Sequence, residues 1–234
     1  MATPLIDQNA ATRQKILGLI RRAQRRDATP LAQENEAIES YLANPRPGPR
    51  NVLSGEFIDV FEAAARRLAT TVDRVDSVAA LPAAIATYLD AIGVARSAIV
   101  WPDLDHFLGA QPDWAACGIT VAARAPVRDE PVADLVGITG VYAAVAETGT
   151  LALLSGPGTP ASMALLPETH IAIVPSERIV GYYEDVFDRL RAEGRELPRA
   201  LNFISGPSRT GDIEQTIVIG AHGPYRVHVI ILSN

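Results

Sequence analysis

Ala200-Leu201-Asn202-Phe203-Ile204-Ser205-Gly206-Pro207-Ser208-Arg209-Thr210-Gly211-Asp212-Ile213-Glu214 is an apolar run that breaks into a polar loop. The run at 200–204 has the length and composition of a buried strand. The loop gathers hydroxyls, a guanidinium and two carboxylates, a density that neither a core nor a simple turn requires. Open α/β sheets bind ligands at the carboxyl ends of their strands. The one stretch therefore points to both a fold class and a candidate site.

The same alternation recurs outward from it. Apolar runs at 72–75, 97–101, 118–122, within 133–143, and at 151–154, 170–174, 216–219 and 227–232 predict strands. Helical spacing predicts helices at 57–71, 77–92 (with Ser77 as N-cap), 161–166 and 176–193. Strands alternating with helices, several of them continuously apolar, imply an α/β sheet covered on both faces. The pair 216–219 and 227–232 flanks a short Gly-Pro loop and predicts a closing hairpin, hence a mixed sheet. Upstream, 10–26 and 31–42 read as helices. The run Asn44-Pro45-Arg46-Pro47-Gly48-Pro49-Arg50 breaks regular structure. The expected organisation is a helical extension with its Pro-rich linker over 1–50, followed by one α/β domain over 51–234.

Composition excludes several classes. The chain has 234 residues, 48% hydrophobic and 21% charged, which is ordinary globular usage. A net charge of −6 argues against a nucleic-acid surface. Lys15 is the sole lysine and lies on a predicted solvated helix, so lysine-dependent catalysis is disfavoured. Cys117 is the sole cysteine, so the chain alone supplies no disulfide, structural zinc site or cysteine-ligated iron–sulfur cluster. Cys117 itself reads as a buried core thiol at the start of a strand. No signal-like or membrane-spanning apolar run is seen, and a cytoplasmic protein is expected. Within 1–30, Arg13, Lys15, Arg21, Arg22, Arg25 and Arg26 face only Asp7 and Asp27. That is the solvated face of an amphipathic helix, or else a docking arm for an acidic partner.

Three further clusters carry candidate chemistry. Glu147-Thr148-Gly149-Thr150 sets a carboxylate and two hydroxyls around a glycine just before a strand. Glu147 is a candidate acid/base or acceptor for a ligand hydroxyl; the alternative is a turn whose threonines bond local backbone. In the 205–214 loop, Ser205, Gly206, Ser208 and Thr210 are candidates to cradle an anion, especially if a helix starts near Gly211. Arg209 suits a carboxylate or phosphate through paired hydrogen bonds. Asp212 and Glu214 complete the candidate ligand set, the alternative being a cap and its surface partner. His222, in the loop between the last two strands, is a candidate proton-transfer group or a plain turn histidine. His170 and His228 read as strand positions. Asp103, Asp105 and His106 form at most a weak metal set and read as a charged helix start; no metal ligand is assigned. P-loop and dinucleotide fingerprints are absent.

Thr139, 146–150, Leu166-Pro167-Glu168-Thr169-His170, 205–214 and Gly220-Ala221-His222-Gly223-Pro224, taken in order, resemble the LUD domain family. The resemblance is tight over about 136–232, with Gly211 standing where Ala is expected and Ala221 where Val or Gly is usual. It implies a Rossmann-like three-layer fold similar to the sugar-phosphate isomerase and CoA-transferase superfamily. It also implies a role in bacterial oxidation of L-lactate to pyruvate, as a subunit without its own cofactor whose partners carry the iron–sulfur clusters. A small carboxylate or phosphate-bearing ligand is the expected occupant of the pocket. Two alternatives stay open: a stand-alone enzyme on a phosphorylated, nucleotide or folate-type substrate, and a non-catalytic assembly scaffold.

Overall fold

The structure is a computed structural model describing residues 5–25, 32–44, 48–127, 135–194, 196–213, 216–220 and 222–233. The chain divides into two compact units, Met1–Pro49 and Arg50–Asn234. The first holds helices α1 (Leu5–Gln24) and α2 (Ala32–Ala43).

The second unit opens with helix α3 (Phe57–Arg67), strand β1 (Thr71–Val75) and helix α4 (Leu81–Ala91). Strand β2 (Ser97–Val100), the short helix α5 (Leu104–Leu108) and strand β3 (Thr120–Ala123) follow. Next come β4 (Val136–Thr139), β5 (Ala143–Val145), β6 (Thr150–Leu154), β7 (Thr169–Pro175), β8 (Ile179–Val180) and helix α6 (Tyr183–Ala192). The chain closes with β9 (Leu201–Ile204), β10 (Arg209–Ile213), β11 (Thr216–Ile219) and β12 (Arg226–Leu232).

Six strands form a parallel sheet in the order β1-β12-β7-β4-β2-β3. Its central members are buried on both faces and mostly apolar: every residue of β4 and β7 is buried, as are 227–232 of β12. Parallel strands require this, because their crossovers cover both sides of the sheet. Fully buried Ile138, Ile171, Ile173, Ile230 and Ile231 lie in this core, each contributing roughly 1.5–3 kcal/mol by leaving water. A second, four-stranded sheet runs β8-β5-β6-β9, and β10 pairs with β11.

The expected closing hairpin is corrected by this topology. β12 lies between β1 and β7, parallel to both, while β11 pairs antiparallel with β10. The physical reason is burial: 227–232 is buried without alternation, which suits an interior strand and not an edge hairpin. Antiparallel pairing does occur, in the second sheet. Two predicted helices also shrink. Only Ala161–Ala164 forms a 3-10 turn, and 176–193 is divided into a 3-10 turn, β8 and α6. Ser77 makes no side-chain cap. Cys117 ends a 3-10 turn, half-buried, before Gly118 in the left-handed region.

Helix α3 positions the loops discussed next. Its inward residues Phe61, Ala64 and Ala65 recur at helical spacing. Two alanines give it a smooth flank, and two glycine turns press on that half of the helix. Gly149 has φ +66°, and a Cβ there would fall 2.6 Å from the Ala64 carbonyl carbon; a Cβ on Gly206, φ +77°, would overlap the Leu68 carbonyl oxygen.

Candidate functional site

The antiparallel register of β6 and β9 pairs Leu151 with Ile204. One step further, Thr150 and Ser205 meet through their hydroxyls at 2.8 Å. Thr148 Oγ1 lies 2.8 Å from Thr150 Oγ1, and the Tyr183 hydroxyl donates to Thr150 Oγ1 at 2.9 Å. The two loops singled out in the sequence are therefore joined directly. Thr150 is fully buried, and three partners fill the capacity of one hydroxyl. It serves as the hub of the cluster. Ser205 is exposed and Thr148 half-buried, so these two retain capacity toward a ligand.

Around the hub the remaining candidates spread out. Glu147 Oε1 accepts a hydrogen bond from Asn51 Nδ2 at 2.8 Å, and the Tyr182 hydroxyl holds the Asn51 carbonyl at 2.6 Å. The exposed Arg209 donates to the Leu68 carbonyl at 3.4 Å, the same oxygen against which Gly206 packs. Ser208 accepts from the Gly220 amide and donates its own amide to Pro224 O, both at 2.9 Å, which ties the segment to the 220–224 loop. His222 on that loop is exposed and makes no hydrogen bond among the described residues. No helix begins at Gly211: residues 209–213 are strand β10, with Thr210 opposite Val218. A helix-terminus anion cradle is thus replaced by an extended ribbon. The side chain of Asp212 and all of Glu214 lie outside the described residues. Gly149 is required by close packing on α3, and Gly206 by close packing on Leu68, which caps that helix.

His170 and His228 belong to the core. His170 is fully buried on β7 with Nε2 2.8 Å from Thr139 Oγ1. Burial lowers its pKa to about 4. His228 stacks on Tyr88 with ring centroids 3.8 Å apart and pairs Nδ1 with Thr71 Oγ1 at 2.8 Å. Its pKa also falls to about 4, chiefly through burial, although Asp73 pulls it upward. No group of three or more metal-binding side chains assembles among the described residues.

The structure also holds a cavity that includes Asp103 and His106, the charged helix start noted in the sequence, although the sequence pattern did not mark a pocket there. From β2 the chain proceeds outward to β3, whereas from β4 it returns inward to β7. Adjacent strands whose connections diverge open a crevice at their carboxyl ends. A cavity of about 280 Å³ lies there, lined by Trp101, Asp103, His106, Phe107, Tyr142 and Arg178, among others. Trp101 follows β2 directly, and its amide donates to Ile138 O of β4 at 3.1 Å. The available signal was Trp101-Pro102-Asp103, an apolar run ending in an aromatic, a proline and a carboxylate. Arg178, Tyr142 and Leu154 come from other segments and leave no local trace.

Residues 58–232 match the LUD domain. Over 102 residues the chain is 43% identical to lactate utilization protein C of Halalkalibacterium halodurans, covering 42% of this chain and 44% of that protein. It is 41% identical over 102 residues to lactate utilization protein C of Bacillus subtilis, 42% of each chain. With the protein of the same name from Macrococcus caseolyticus it shares 34% identity over 143 residues, 60% of this chain and 54% of that one. The chain spans about half the length of the curated relatives it matches. A crystal structure of a DUF162 family protein from Deinococcus radiodurans superposes with a TM-score of 0.54 at 26% identity, covering 77% of this chain and 99% of that one. No helix among the described residues is long and apolar enough to cross a membrane.

Proposed function

This chain belongs to the LUD domain family, and from that premise we propose that it is a subunit of a lactate-utilisation system that oxidises L-lactate to pyruvate. The names of its relatives support the pathway. Within the fold, the observation that carries the reading is the hydroxyl bridge between Thr150 and Ser205, because it brings the two polar loops to one place. In this proposal Ser205 and Thr148 hydrogen-bond the oxygens of a small hydroxy acid, and Arg209 supplies the positive charge its carboxylate needs. Glu147, steadied by Asn51, accepts the hydrogen bond of the ligand hydroxyl. His222, exposed beside the segment that Ser208 anchors, exchanges the proton.

Oxidation of lactate also releases two electrons. Clusters of iron and sulfur are ordinarily held by several thiolates, and the one thiol here, Cys117, does not meet that need. We therefore assign the electron acceptor to a partner subunit that carries iron–sulfur clusters. Growth tests the proposal. A strain lacking this chain, with its partner genes intact, should fail on L-lactate and recover with the wild-type gene. Normal growth of the deletion strain on L-lactate would refute the role.

A further inference from the structure

We infer that helices α1 and α2 are a dimerisation surface, on which α1 of one copy lies against α2 of a second copy of this chain, and α2 against its α1. Both helices lie outside residues 58–232, which match the LUD domain. The surface belongs to neither the hydroxyl cluster nor the β2/β4 crevice.

The two helices carry the same apolar stripe. Ile16, Leu19 and Ile20 on α1, and Ile38, Tyr41 and Leu42 on α2, stand at positions i, i+3 and i+4, which fall on one helix face. All six are exposed, between 46% and 65%. Three large apolar side chains on one face are a concentrated stripe, unlike the single apolar residues that any surface carries. Helix α2 has 12 residues and buries none of them. A helix that short is marginal in water on propensity alone and takes its stability from the packing of an apolar face. Some surface must therefore cover it.

Charge identifies the cover. Helix α1 holds four basic residues, Arg13, Lys15, Arg21 and Arg22, against Asp7, a net of +3. Helix α2 holds Glu34, Glu36 and Glu39 and no basic residue, a net of −3. These charges border the stripes. Arg13 precedes Ile16 by three and Lys15 precedes Leu19 by four, while Glu34 precedes Ile38 by four and Glu39 precedes Leu42 by three. Residues at those spacings are neighbours on a helix, so each stripe is edged by one sign of charge.

Two α1 stripes placed together would set cation on cation, and two α2 stripes carboxylate on carboxylate. The crossed pairing alone joins apolar surface and opposite charge at once. Within one chain both stripes stay exposed, so the pairing is made between chains. A two-fold axis makes it twice, because an isologous interface sets i on j and j on i. The product is a four-helix arrangement. An anionic membrane is the other surface that a basic amphipathic helix fits; it suits α1 but repels α2.

Sedimentation of the purified full chain tests the pairing. Wild type should run at the mass of two chains at tens of micromolar. Leu19→Asn with Leu42→Asn should give a monomer that keeps the wild-type melting transition of the second unit. Two charge variants leave the stripes intact. Arg13→Glu with Lys15→Glu makes both stripes acid-edged, and Glu34→Lys with Glu39→Lys makes both base-edged. Each alone should self-associate roughly tenfold more weakly, or worse. An equimolar mixture of the two should recover the dimer, because each α1 then meets opposite charge on the other chain's α2. A monomeric wild type, or a dimer that survives Leu19→Asn with Leu42→Asn, would overturn the assignment. So would charge variants that associate like wild type or that stay apart when mixed. A monomer that cosediments with phosphatidylglycerol vesicles would give the helices to a membrane instead. Mass is read without lactate, so failure here and failure of the pathway proposal are separately visible.

Discussion

The hydroxyl oxygens of Thr150 and Ser205 lie 2.8 Å apart, one residue beyond the last paired rung of β6 and β9. Fifty-five residues separate them in sequence. The antiparallel register alone brings them together, and Tyr183 of α6 closes the cluster from a third element. The geometry of the polar loops is therefore a property of the second sheet and not of either loop.

Thr150→Val tests that dependence. The substitution keeps the shape but strips a buried hydroxyl from three partners. Leaving those groups short should cost on the order of 1–3 kcal/mol, read as a lower urea midpoint at unchanged slope. Ser205→Ala, at an exposed position, should cost less. The double variant should fall short of the sum, because both single changes break one contact. Additive losses would mean that the hydroxyls do not couple.

Acid should weaken the fold well above the range where carboxylates titrate. His170 and His228 have pKa values lowered to about 4 in the folded chain, against about 6.5 when unfolded. Between those values the unfolded state binds protons that the folded state refuses. Stability is thus full above about pH 7 and falls as pH drops through 6.5, levelling near 4. Each histidine should remove about 2 kcal/mol between pH 7 and pH 5. Urea unfolding at a series of pH values measures the slope, and His228→Gln should flatten it by about half. A flat profile between pH 7 and pH 5 would show that neither imidazole is held neutral.

Gly149→Ala and Gly206→Ala should be among the most damaging small substitutions in the chain. Each combines a left-handed backbone with a Cβ driven into its neighbour, Ala64 and Ala65 of α3 for Gly149 and Leu68, which caps α3, for Gly206, so a loss of about 3 kcal/mol or more is expected from strain and overpacking together. Gly194 provides the control. Its φ is +59° but a Cβ there meets nothing within 4 Å, so Gly194→Ala should cost only about 1–2 kcal/mol. Thermal melts of the three variants separate backbone strain from the packing of the two loops on α3.

Much of this was legible in the chain. Continuous apolar runs such as 170–174 and 227–232 announced a parallel core, because only strands covered on both faces dispense with alternation. The polar loops at 147–150 and 205–210 were visible as dense polar punctuation after or before such runs. What stayed hidden was pairing. A Gly-Pro loop suggested that 216–219 and 227–232 were hairpin partners, yet long-range burial drew β12 into the sheet centre. The β2/β4 crevice was hidden for the same reason. Trp101 and Arg178 share a cavity although they stand 77 positions apart in the numbering, and no local pattern encodes that approach.

Glu147 and Asn51 separate positioning from stability. Their 2.8 Å hydrogen bond lies at the protein surface, so Glu147→Ala and Asn51→Ala should each change the unfolding free energy by about 0.5 kcal/mol or less. Their effects on function should differ. Glu147→Ala removes the acceptor assigned to the ligand hydroxyl, whereas Asn51→Ala leaves the carboxylate in place but free to turn. Complementation of the deletion strain on L-lactate should therefore be poor with Glu147→Ala and intermediate with Asn51→Ala, at equal protein levels. Glu147→Gln, which keeps an acceptor oxygen without the charge, should lie nearer Asn51→Ala if hydrogen bonding is the role. If instead it matches Glu147→Ala, the negative charge itself is required, and Glu147 would act as a proton acceptor.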